Sequence, residues 1–196
     1  MKIGVLAIQG DYQAHARALA RLGVETVEVR RAAELAGVDG LIIPGGESTT
    51  IWKLLAEEGL KDAIKGFARE GRPVFGTCAG AILLAREVIN PEQESLGLID
   101  IKVERNAFGR QVDSFIGEVA SSLPGGALEA VFIRAPRIRQ VGPEVEVLAS
   151  LKGEPALVCE RRILAATFHP ELSKDSPVHA MFCEMVRRST AVTSDK

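Results

Sequence analysis

The run Val74-Phe75-Gly76-Thr77-Cys78-Ala79-Gly80-Ala81-Ile82 constrains the fold more than any other stretch of the chain. Two apolar residues lead into a corner of small residues, and an apolar, helix-compatible segment leaves it. The run reads as a buried strand, a tight turn and the start of a helix, with the thiol at the corner. This is the G-x-nucleophile-x-G elbow with Cys in the nucleophile position. A nucleophile on a strained strand-to-helix turn leaves no room for a side chain two residues before or after it, which explains Gly76 and Gly80. The helix that follows points unpaired backbone N–H groups at the sulfur and favours the thiolate. Taken alone, the motif also fits a close strand–helix contact around a small buried thiol.

A second motif bears on that choice. Ala165-Ala166-Thr167-Phe168-His169-Pro170-Glu171-Leu172 sets a His and a carboxylate two residues apart at the end of another apolar run. A Cys nucleophile needs a base within hydrogen-bond reach, and the base needs an acceptor to fix its tautomer. His169 and Glu171 supply both, about ninety residues from Cys78, so folding must bring the three together. Read singly, Glu171 also fits a solvated residue of a first helical turn.

Between the motifs the chain alternates apolar runs with amphipathic stretches. Ile3–Ile8, Val24–Val29, Leu41–Ile43 and Val74–Phe75 read as parallel strands. A helix follows Asp11, which is placed to cap it, and ends at Gly23. Ser48 or Thr49 is placed to cap the next helix, to about Ala56, and Leu60–Glu70 forms another. After Asn90 the pattern turns to short alternating strands: Ile99–Val103, Phe115–Val119, Ala130–Ile133, Val145–Ser150, Ala156–Glu160 and Ile163–Phe168. A last helix spans Pro177 to about Arg188, and the polar tail 189–196 is expected to fray. The expected fold is α/β: a three-layer, open, mostly parallel sheet with a flavodoxin-like core, helices on both faces and a small antiparallel extension. With no repeat or linker, residues 1–196 are read as one domain.

Composition narrows the function. A net charge of -2 argues against a nucleic-acid surface or an anionic membrane as the main partner. No apolar run nears the roughly twenty residues of a membrane span, and the N-terminus lacks a signal-peptide layout. Three widely spaced cysteines make neither a disulfide framework nor a ligand set, so no metal site is expected. A catalytic thiol fits a reducing cytoplasm best.

In open α/β sheets ligands sit beyond the carboxyl ends of the strands. Pro44–Thr49, Gly76–Gly80 and His169–Glu171 all lie there, so they are expected to share one site. A thiolate with a His/Glu pair suits acyl transfer. Ala79 N–H follows the nucleophile and is the natural first oxyanion donor, with the Gly45-Gly46 pair offering the second. The Pro44–Thr49 run alone equally fits a plain strand–helix loop. As a phosphate loop it lacks the P-loop lysine. His15 and His179 show no obvious partners and read as structural or surface residues. Trp52 and Tyr12 read as packing, Cys159 and Cys183 as inert core thiols, and Arg137 and Arg139 as surface charge.

With these motifs in view, the chain resembles class I (triad) glutamine amidotransferases and, among them, the glutaminase subunits of pyridoxal 5′-phosphate synthases. The resemblance covers nearly the whole chain. It rests on Gly4–Asp11, Pro44–Thr50, Gly76–Gly80, Arg105–Gln111, Phe132–Pro136 and Phe168–Leu172. It implies a Cys78, His169, Glu171 triad and a glutamine pocket lined by Gly46, Glu47, Ser48, Arg105, Ile133 and Arg134, with Gly46 and Ala79 as the oxyanion hole. It further implies hydrolysis of L-glutamine without a cofactor, and transfer of the ammonia to a barrel-shaped synthase subunit whose docking activates the glutaminase. Other readings of the same residues are a glutaminase subunit of another biosynthetic pathway, a cysteine peptidase-like hydrolase, and a non-catalytic regulatory subunit.

Overall fold

The computed structural model describes residues 1–106, 114–175 and 177–194. Residues Ala107–Gln111 of the Arg105–Gln111 motif, and the last two residues of the tail, lie outside the described residues. The first half of the chain builds β1 (Lys2–Leu6), α1 (Tyr12–Arg21), β2 (Glu25–Val29), β3 (Gly40–Ile43), α2 (Ser48–Glu57), α3 (Leu60–Arg69), β4 (Val74–Thr77) and α4 (Ala79–Leu84). The second half adds β5 (Ala85–Ile89), β6 (Ile99–Glu104), β7 (Ser114–Ser121), β8 (Leu128–Ile133), β9 (Arg137–Val141), β10 (Glu146–Leu151), β11 (Glu154–Glu160), β12 (Ile163–Ala166) and α5 (Pro177–Ser194).

One sheet of nine strands runs β2-β1-β3-β4-β12-β11-β10-β7-β8. Its first five strands are parallel and follow the flavodoxin-like order, with β12 closing on β4. The remaining four continue the same sheet antiparallel. A separate three-stranded sheet holds β5, β6 and β9. β5 and β9 were not expected as strands. Two adjacent exposed charges, Arg86 and Glu87, interrupt the alternation in β5, and three of the five residues of β9 are exposed.

The parallel strands are buried on both faces, so each divides its side chains between two cores. Leu6, Leu41, Ile43, Val74 and Ala165 face α2, α3 and α4. Ile3, Val5, Ile42, Phe75, Leu164 and Ala166 face α1 and α5. Burying one such side chain contributes roughly 1.5–3 kcal/mol, so a one-residue slip of any central strand would exchange both cores at once.

Three local expectations are corrected. Asp11 stands at the N-cap of α1, but its side chain makes no capping bond. Neither Ser48 nor Thr49 caps α2. Glu47 does, accepting from the N–H of Thr49 at 3.2 Å and of Thr50 at 2.7 Å. The tail does not fray at Ser189, because α5 runs to Ser194. Ser189 is buried and donates to the carbonyl of Gly71 at 3.2 Å while accepting from Arg162 Nη1 at 2.7 Å. Among the described residues no helix is long and apolar enough to cross a membrane.

Candidate functional site

Cys78 sits between β4 and α4 with φ 49° and ψ -102°. A non-glycine residue at positive φ is strained and persists only where its surroundings hold it. Here its N–H donates to Ala166 O at 2.8 Å and its carbonyl accepts from Ile82 N–H at 3.2 Å. The flanking glycines have a packing cause. A Cβ on Gly76 would stand 2.6 Å from the Gly80 backbone, and one on Gly80 would collide with the carbonyl oxygen of Ile43. The strand and helix of the elbow thus touch backbone to backbone. The Cys78 thiol points toward the carbonyl of Ile133, at 3.9 Å.

His169 enters from the end of β12. Its N–H donates to Val131 O at 2.8 Å, which ties the turn to β8. Pro170–Leu172 forms one 3-10 turn that folds Glu171 back toward the ring. His169 Nδ1 lies 2.7 Å from Glu171 Oε1. A carboxylate only accepts, so Nδ1 carries the proton and Nε2 is left for the sulfur. Burial pulls the His169 pKa down. Its hydrogen bonds to Cys78 and Glu171, with their charges, override that and raise it to about 10. This environment favours the imidazolium form of His169.

The two glycines after β3 are shaped by their neighbours. A Cβ on Gly45 would fall on the His169 ring, and one on Gly46 on the side-chain amide of Gln9. The loop is held from the end of β1: Gly45 O accepts from Asp11 N–H at 3.2 Å, and Gln9 Oε1 accepts from Glu47 N–H at 3.0 Å. Glu47 also lies 3.5 Å from Arg105 Nη2. Hydrogen bonds from Thr49, against a smaller opposing effect of burial and joined by those from Thr50, bring its pKa down to about 2. The Ser48 hydroxyl donates to Gln93 Oε1 at 2.9 Å. Arg134 takes φ 42°, a second strained residue at the rim.

A cavity of about 410 Å³ collects these groups. Cys78, His169, Gly46 and Ala79 lie on its walls with Glu47, Ser48, Arg105, Ile133 and Arg134. Glu171 stands behind His169, 4% exposed. A larger concavity of about 810 Å³ near Trp52, Lys65 and Glu92 has no Cys or His among its lining residues, so the smaller one is the candidate site. Sequence reasoning passed over Gln9, Asp11 and Asn106, which also line it. The carboxyl-end rule pointed to the first two, since they follow β1 as the named loops follow their strands. His15 and His179 are not partnerless: both are fully buried, and their rings meet at 2.9 Å. Arg137 and Arg139 pair with Glu154 on the surface.

The chain belongs to the SNO glutamine amidotransferase family, matched over residues 5–188. Among curated relatives, it is 53% identical over 191 residues to the pyridoxal 5′-phosphate synthase subunit PdxT of Koribacter versatilis (strain Ellin345), covering 97% of this chain and 98% of that one. It is 54% identical over 187 residues to the PdxT subunit of Solibacter usitatus (strain Ellin6076), covering 92% and 97%. Among solved structures, a glutamine amidotransferase superposes with a TM-score of 0.89 at 50% identity, covering 94% of this chain and 98% of that one.

Proposed function

We propose that this chain is the glutaminase subunit of a pyridoxal 5′-phosphate synthase. It hydrolyses L-glutamine to L-glutamate and ammonia and passes the ammonia to a synthase subunit. The observation that carries the reading is the buried His169–Glu171 pair, 2.7 Å apart, in one cavity with Cys78 at a strained elbow. The relatives' names supply the pathway.

In this mechanism the glutamine α-carboxylate meets Arg105 or Arg134, and its ammonium meets Glu47. The Cys78 thiolate attacks the side-chain amide carbon. Negative charge moves to the amide oxygen, facing the N–H groups of Ala79 and Gly46. His169 gives its Nε2 proton to the departing nitrogen, the C–N bond breaks, and ammonia leaves a thioester on Cys78. A water then attacks the thioester carbonyl while neutral His169 takes its proton. Collapse of that adduct expels the thiolate and frees glutamate, restoring the thiolate–imidazolium pair. Glu171 holds the ring in the required tautomer throughout and stabilises its charged form.

The reading includes a cytoplasmic setting, which keeps the thiol reduced, and a docking step that turns the Gly45-Gly46 peptides to complete the oxyanion hole. Glutamate release with and without the synthase subunit, for wild type and Cys78→Ala, tests it. Release that needs both Cys78 and the partner is expected. Release unaffected by Cys78→Ala would end the reading, and equal rates for the free and docked chain would end the gating step alone.

A further inference from the structure

Behind the candidate triad lies a buried polar chain that the mechanism above does not use. His15 on α1 and His179 on α5 are both 0% exposed. His15 Nδ1 lies 2.9 Å from His179 Nε2. On the other side of the ring, His15 Nε2 lies 3.1 Å from Thr77 Oγ1, one residue before the nucleophile, and 3.4 Å from Glu171 Oε2. Phe75 packs edge-on against both imidazoles, with centroids 6.3 and 5.9 Å away, which fixes their planes.

Proton bookkeeping selects one arrangement. Glu171 Oε2 and His179 Nδ1 are buried and have no hydrogen-bond partner among the described residues. If His15 carried its proton on Nδ1, its Nε2 would accept from the Thr77 hydroxyl with its lone pair 3.4 Å from the Glu171 carboxylate, and His179 would have to hold a buried, unpaired Nδ1–H. If His15 carries it on Nε2, that N–H donates to Thr77 Oγ1, with Glu171 Oε2 3.4 Å from the same nitrogen. His15 Nδ1 then accepts from His179 Nε2–H, and the unpaired His179 nitrogen is an acceptor. The second arrangement avoids the carboxylate repulsion and the unpaired His179 donor, with Thr77 Oγ1 accepting from His15. Burial, then the neighbouring His179 and His169, push the His15 pKa well down, and burial with the charge of Arg21 brings that of His179 to about 3. Both rings are therefore neutral, as the bookkeeping requires.

We infer that His15 is a positioning residue: its Nε2–H group, donated to Thr77 Oγ1, attracts the outer oxygen of Glu171 from 3.4 Å, His179 fixes the tautomer that makes this possible, and the carboxylate is thereby presented to His169 in one orientation. The inference rests on the triad reading above. Glu171 Oε1 serves His169 at 2.7 Å, and Oε2 would otherwise be a buried anionic oxygen with nothing to stop the carboxylate rotating. His15 of α1 and His169 of its own turn reach this carboxylate, at 3.4 and 2.7 Å.

The test compares wild type with His15→Leu, which removes the donor, and His15→Gln, whose amide nitrogen stands close to the position of Nε2. Glutamate release is measured with the synthase subunit present, and the His169 Nδ1–H proton is observed by NMR. In His15→Leu, kcat is expected to fall on the order of tenfold to a hundredfold with KM little changed, and the Nδ1–H signal to shift or broaden. His15→Gln is expected to restore both. A folded His15→Leu with unchanged kcat and signal would overturn the inference. If His15→Leu does not fold, a folded His15→Gln with wild-type kcat and signal supports the inference, and one that has lost both overturns it. Release that survives Cys78→Ala would instead overturn the triad reading and this inference together.

Discussion

The His169 imidazole occupies the space in which a Cβ on Gly45 would stand. The His169 ring and the loop that carries the candidate oxyanion glycine are therefore packed closely against each other. Gly45→Ala is expected to push the ring off its line to Cys78. A displacement near 1 Å costs on the order of a hundredfold in rate. Steady-state glutaminase assays should show that loss in kcat, while a thermal melt shows only the roughly 1–3 kcal/mol of an overpacked site.

Glu171→Gln keeps the size of the side chain and removes its charge. A fall in kcat of roughly two to four orders of magnitude is expected, since an amide can hold the ring in the wrong tautomer. Stability reports the same contact. The His169 pKa is raised in the folded chain from 6.5 to about 10. The folded state thus binds the proton more tightly, and that stabilisation is complete below 6.5 and lost as pH rises through about 10. Urea midpoints across this window should decline for wild type and decline less for Glu171→Gln. Equal slopes would remove Glu171 as a cause of the shift.

His15 and His179 predict the opposite behaviour in acid. Both are held neutral when folded, with His179 brought from 6.5 to about 3. Below 6.5 the unfolded chain takes up protons that the folded chain refuses, so stability falls as pH falls toward about 3. Each group accounts for at most about 1.4 kcal/mol per pH unit. The difference in urea midpoint between about pH 7 and about pH 5 should shrink in His179→Gln. A variant with undiminished acid sensitivity would show that these rings are not its source.

Gly80→Ala tests the elbow as a packing device apart from its chemistry. The new methyl would meet the carbonyl oxygen of Ile43, a backbone atom on a central strand that cannot turn aside. A loss of roughly 1–3 kcal/mol is expected, read as a lower denaturant midpoint, with Cys78 activity lost alongside. Gly66→Ala is the control: it meets nothing within 4 Å in the middle of α3, and a better helix former there should raise stability by roughly 0.4–1 kcal/mol.

Much of the architecture was legible because central strands are buried on both faces and so appear as unbroken apolar runs. Leu41–Ile43 and Val74–Phe75 are of this kind, and each is completely buried. β5 was not legible, because only one of its faces packs and adjacent Arg86 and Glu87 break the alternation. The last turns of α5 were not legible either. Their polar residues look like a tail until Gly71, from the turn after α3, and Arg162, from the turn before β12, bond Ser189.

The sequence by itself determined the corner at Cys78, the pairing of His169 with Glu171 and the strand ends that carry the candidate site, because each depends on residues close together in the chain. Tertiary structure alone decided what lies behind them. His15 and His179 are 164 positions apart, and each looks like an isolated ring on a helix face. They become partners because α1 and α5 pack on the same face of the sheet, over Phe75 and within reach of Glu171. A hydrogen bond between buried rings leaves no local pattern, since its geometry is set by the packing of helices that the chain order keeps apart.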